Sequence, residues 1–83
     1  INLFLNMKNS SKSKLIKDLL KILKVKDKKK LSLIKRINFD KWDSLTHLQV
    51  IFFLEKNIKK KIPIEKLNKI STGKELIKII DAN

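Results

Sequence analysis

The side chains with the most chemical interest stand close together. Asp43-Ser44-Leu45 offers a carboxylate beside a hydroxyl, and His47 follows three residues after the serine. Positions three apart meet on a helix surface, so Ser44 and His47 invite comparison with a nucleophile and its base. The surroundings argue against hydrolysis: no glycine-flanked turn presents the serine, and 83 residues leave little room for a substrate pocket. His47 is then expected at the surface near Ser44. With no cysteine and one histidine, a protein-built zinc centre is not expected either. No catalytic residue is assigned, and the chain is not expected to be an enzyme.

The place of Ser44 beside Asp43 has an electrostatic side of its own. If Asp43 caps a helix, Ser44 stands at the positive end of its dipole, beside backbone N–H groups without intrahelical partners. A phosphodiester built on the hydroxyl would be well placed there. Asp43 could help hold a magnesium ion during phosphate transfer, because magnesium prefers oxygen ligands. Leu45 is expected to anchor the helix start. Alone, the tripeptide is weak, and a serine in a first helical turn is usually nothing more.

The elements that must position this motif follow from the spacing of apolar residues. Leu15, Ile16, Leu19, Leu20, Ile22 and Leu23 recur at helical intervals, which predicts a first helix ending near Val25. Lys28-Lys29-Lys30 breaks that pattern and opens a long irregular connection over residues 27–42. Its Leu31, Leu33, Ile34, Ile37 and Phe39 predict that it packs across the domain, and long loops of this kind are often functional. A second helix starts at Asp43-Ser44. Leu45, Leu48, Ile51, Phe52, Leu54 and Ile58 are expected on its inner face, Val50 and Phe53 widen it, and Lys59, Lys60 and Lys61 close it. Trp42 is expected to pack, and Phe52 and Phe53 to be core. Pro63 precedes a short helix from Ile64 to Lys69. Thr72-Gly73-Lys74-Glu75 has capping-box spacing and opens a last helix with Leu76, Ile77, Ile79 and Ile80 as its apolar side. Nothing alternates as a strand would. The fold class is therefore all-α.

Length allows one domain, read as residues 8–83, with residues 1–7 as an extension or lead-in and Met7 as the natural start. No apolar run approaches the roughly 20 residues of a membrane span. The absence of cysteine suits a cytoplasmic protein. A net charge of +13 raises the question of nucleic acid. The cations, however, are 20 Lys and one Arg, Arg36, whereas phosphate and base readers favour the planar arginine fork. Lys, Ile and Asn supply 40 of the 83 residues, the signature of A/T-rich coding, so a solvated lysine surface is the simpler account and no specific nucleic-acid partner is expected.

In order and spacing, Asp43-Ser44-Leu45, Leu54-Glu55, Ile62-Pro63 and Ile70-Ser71-Thr72 resemble the second to fourth helices of the acyl carrier protein family. The resemblance covers roughly residues 42–81, and residues 12–41 match only in pattern. Trp42 before the motif is similar to stand-alone carriers of specialised pathways. The resemblance implies a four-helix bundle with a long first loop and a short third helix. It implies 4′-phosphopantetheine on Ser44, installed from coenzyme A by a phosphopantetheinyl transferase, with Asp43 and Leu45 supporting the site. The arm's thiol would carry cargo as a thioester between a loading ligase or synthase and a downstream transferase, and the chain would act as a monomer. The family's second helix is typically acidic on its exposed face, and here Thr46, Gln49 and Lys56 stand where acids are common, with Glu55 retained. A general fatty-acid synthase is therefore not the expected partner. By resemblance, Phe52, Leu54, Ile62, Leu67 and Ile70 lie where cargo is sheltered. Bulky Phe52 and Leu67 predict little space there and hence a short or polar cargo. Two other classes stay open: a lysine-rich nucleic-acid-binding module, and a helical protein-interaction module.

Overall fold

The structure, a computed structural model, describes residues 12–82. The lead-in over residues 1–7 and the start at Met7 lie outside the described residues. The described residues are all-α: α1 (Lys12–Leu23), α2 (Lys28–Leu31), a 3-10 turn (Arg36–Asn38), α3 (Ser44–Asn57), α4 (Ile64–Lys69) and α5 (Gly73–Asp81). α1 packs against α2, α3 and α5, and α3 against α4.

α1 turns Leu15, Ile16, Leu19 and Leu23 into the core, as its spacing predicts. It stops at Leu23, short of Val25, because Lys24 takes the left-handed conformation at φ 57°. Lys24 N–H then donates to Lys21 O at 3.3 Å and Val25 N–H to Leu20 O at 2.9 Å. This is the Schellman arrangement, which satisfies carbonyls a helix end leaves open. A side chain in that conformation is disfavoured by roughly 1–2 kcal/mol. Lys24→Gly is therefore expected to raise the free energy of unfolding by about 1 kcal/mol, read from the urea midpoint at unchanged slope.

The connection over residues 27–42 is more regular than the sequence suggests. Asp27 accepts from Lys30 N–H at 2.8 Å and caps α2, so the three lysines form a helical turn instead of interrupting one. Leu31 and Ile34 are buried beneath it and Phe39 packs partly against the core, but Leu33 and Ile37 face out, Ile37 with 91% of its surface exposed. The connection is fastened to the α4–α5 junction. Lys35 and Thr72 form an isolated antiparallel bridge, Arg36 N–H donates to Ser71 O at 2.7 Å, and Gly73 N–H donates to Ile34 O at 3.0 Å.

α3 begins at Ser44 as expected, with Asp43 as its N-cap. It closes earlier than Lys59–Lys61: Asn57 is its last residue, and Ile58 N–H donates to Leu54 O at 2.8 Å. Its inner face is also rotated from the expected one. His47, Val50, Ile51 and Leu54 are buried, whereas Leu45, Leu48 and Phe52 are exposed. Apolar residues lie on nearly every side of this helix, so periodicity alone does not fix which side faces in. α5 opens with a capping box. Thr72 Oγ1 accepts from Glu75 N–H, and Glu75 Oε1 accepts from the N–H groups of Ser71 and Thr72 at 3.1 Å each. These N–H bonds, Ser71's foremost, hold the Glu75 carboxyl below its usual pKa.

Candidate functional site

Three stretches meet at His47, one turn on from Ser44: the turn ending at Trp42, the first turn of α3, and the last turn of α4. Asp43 Oδ1 accepts from Thr46 N–H at 2.8 Å, and this bond, first among several, draws the carboxyl below its ordinary pKa. Asp43 is thus committed to the cap, and Ser44 follows it as the first helical residue with its side chain exposed. Leu45 does not anchor the helix start by burial, since 67% of its surface is exposed. With Leu48 and Phe52 it forms an apolar stripe leading away from Ser44 along the outer face of α3. Thr46 is half-buried and Gln49 and Lys56 are exposed, so the positions that depart from the acidic pattern lie next to that stripe.

His47 is not at the surface. It is only 4% exposed, and it is the buried polar residue of the described core. Trp42 Nε1–H donates to His47 Nδ1 at 3.0 Å, and His47 Nε2 lies 3.0 Å from Leu67 O. An indole nitrogen can only donate, so Nδ1 is the acceptor and the imidazole proton sits on Nε2, from which it donates to Leu67 O. Burial first, and the nearby Arg36 guanidinium second, lower the His47 pKa from 6.5 and favour the neutral ring. The sequence did hold a signal for this. His47, Val50, Ile51 and Leu54 are spaced i, i+3, i+4 and i+7, an inward stripe with one polar member.

The region expected to shelter cargo differs from its sequence-based description. Phe52 lies outside, with 60% of its surface exposed, because the helix is rotated. Leu67 and Ile70 are buried. A cleft of about 440 Å³ lies between the C-terminal half of α3 and the segment leading into α4, lined among others by Leu54, Ile58, Ile62, Pro63 and Leu67. Of the two bulky residues expected to fill this space, Leu67 lines the cleft and Phe52 does not, so only half of the ground for a short cargo remains. Among the described residues, no group of three or more His, Cys, Asp or Glu could hold a metal ion, and no helix is long and apolar enough to cross a membrane. No protein-family model matches the chain, and no curated protein or solved structure matches it.

Proposed function

We propose that this chain is a carrier protein of acyl-carrier type, a four-helix bundle in which α2 is an addition within the first loop. The observation that carries the reading is the placement of Ser44: exposed, first in the long helix α3, and directly after a cap that Asp43 supplies. The hydroxyl is therefore reachable by an enzyme and is not needed to hold the helix. A phosphopantetheinyl transferase would move the 4′-phosphopantetheinyl group of coenzyme A onto Ser44 Oγ: the serine O–P bond would form as the pyrophosphate P–O bond breaks, the hydroxyl proton would pass to a base of the transferase, and adenosine 3′,5′-bisphosphate would leave. When bound, that arm supplies a thiol this cysteine-free chain does not encode, and cargo rides on it as a thioester.

The chain's own residues have simpler tasks. Asp43 fixes the first turn through Thr46, and the α3 dipole favours negative charge beside Ser44. Leu45, Leu48 and Phe52 offer an apolar strip next to the attachment point for the transferase, the loading ligase or synthase and the downstream transferase to grip. Gln49 and Lys56 make that strip's border neutral to basic, which suits enzymes with neutral or acidic docking surfaces. The carrier is read as a cytoplasmic monomer without catalysis of its own.

Intact-protein mass spectrometry after treatment with broad-specificity transferases and coenzyme A tests the reading. One phosphopantetheine is expected on Ser44 and none on Ser44→Ala. A wild-type protein left unmodified by several active transferases would overturn it. The same apolar strip favours a second reading, a helical interaction module without an arm. That reading gains if Ser44 stays unmodified while Phe52→Ala abolishes capture by a partner.

A further inference from the structure

The only Trp, the only His and the only Arg of the chain gather at one joint. Trp42 is 2% exposed and its ring centroid is 6.0 Å from that of His47, the planes tilted by 37°. His47 donates to Leu67 O, and Arg36 Nη1 donates to Asn68 O at 3.4 Å. Two adjacent carbonyls in the last turn of α4, a place where helices run out of internal donors, are thus met by side chains from other elements. Meanwhile His47 N–H donates to Asp43 O at 2.8 Å and closes the turn that contains Ser44. His47 therefore belongs at once to the Ser44 turn, to the lead-in at Trp42 and to the end of α4.

We infer that His47 is a positioning residue for Ser44: its neutral imidazole clasps Trp42 and the last turn of α4, and so fixes the first turn of α3 in the orientation that a modifying enzyme meets. The inference rests on Ser44 being the attachment site. The clasp needs one acceptor and one donor on the same ring, which only the neutral form has. Protonation puts a hydrogen on Nδ1, facing the Trp42 N–H. Two donors cannot bond, and that contact must open. Arg36 adds repulsion from the 3-10 turn. The Leu67 and Asn68 carbonyls favour the charged ring and offset part of this, but burial and Arg36 outweigh them, and among the described residues no free carboxylate is seen to face the ring. α4 presents only the Leu67 and Asn68 backbone, the Asp43 carboxylate is bound to Thr46, and the core faces of α1 and α5 bury no charged residue.

The sign follows. The folded pKa lies below the unfolded value of 6.5, so the stabilisation is complete above 6.5 and is lost as pH falls through the folded value. His47→Gln keeps an amide oxygen to accept from Trp42 and an amide N–H to donate to Leu67 O, but it does not titrate. Trp42→Phe removes the opposing donor and should bring the folded pKa back toward 6.5.

The experiment follows three readouts between about pH 5 and 8. They are the Trp42 indole N–H resonance, amide exchange at residues 44–47 and 67–70, and the initial rate of arm attachment relative to His47→Gln. The wild type is expected to shift its indole resonance as pH falls below 6.5. It should lose protection at both segments by about tenfold for each unit of pKa depression. Its attachment rate should fall relative to the glutamine variant, in which all three readouts stay flat. In Trp42→Phe the pH dependence should shrink. A Trp42 indole N–H that exchanges with solvent at neutral pH as freely as an unbonded indole needs no variant to interpret and overturns the clasp. Equal pH dependence in wild type and His47→Gln overturns it too. If the exchange pattern is as expected but Ser44 is unmodified at every pH, the attachment reading fails and the positioning role falls with it, while the clasp stands.

Discussion

Gly73→Ala is expected to cost the fold about 3 kcal/mol or more, from overpacking against backbone that cannot step aside. A Cβ at residue 73 would lie 1.8 Å from Leu31 O and 2.9 Å from Leu31 C, with Ile34 Cγ1 at 3.1 Å. Because the obstacle is a main-chain carbonyl, rotamer change cannot relieve it. Either α5 backs away or the end of α2 does, and either movement strains the Gly73 N–H bond to Ile34 O. A chain of this length holds on the order of 5–10 kcal/mol in total, so the loss takes a large share. Urea unfolding followed by the Trp42 fluorescence measures it. A change under about 0.5 kcal/mol would show that α5 does not approach the connection this closely.

The second large effect is a contrast along α3. Leu54→Ala removes a side chain that is almost wholly enclosed and is expected to cost about 2–5 kcal/mol through lost burial and the cavity left behind. Phe52→Ala, two residues away on the outer face, is expected to stay within about 0.5 kcal/mol. The larger side chain should thus matter far less to the fold, and melting curves of the two variants decide it. Equal losses would mean that α3 is rotated from the described orientation.

That contrast also shows where the sequence was readable. α1, α4 and α5 were legible because each carries one apolar stripe and a recognisable boundary, such as Pro63 before α4 and the Thr72–Glu75 box before α5. The start of α3 was legible through Asp43. Its phase was not. With Leu45, Leu48, Val50, Ile51, Phe52, Phe53 and Leu54 all apolar, hydrophobicity permits several rotations. The choice is made by a polar group: His47 faces inward because Trp42 and Leu67 offer it both a donor and an acceptor. Such a fit depends on α4 and the Trp42 turn arriving together; the His47, Val50, Ile51, Leu54 stripe is compatible with it but does not select it over the other apolar faces. α2 was hidden for a related reason. Three lysines look like a solvated break until Asp27 is seen to cap them and Leu31 to be buried beneath them. The position of Ser44 in the first turn of α3 was legible in the sequence, while the Trp42–His47–Leu67 bonds were not.

The fastening of the first connection to the α4–α5 junction bears on how the molecule comes into being. The bonds Arg36–Ser71 and Gly73–Ile34 join residues 35 and 39 apart in the chain. Such contacts repay the entropy of closing the loop only once both ends exist. Emerging from a ribosome N-terminus first, the chain would expose Ser44 and most of α3 well before residues 71–73 leave the exit tunnel. The fastening of the connection is therefore among the last parts of the molecule to be completed, and a nascent chain would display Ser44 before the α4–α5 junction is in place.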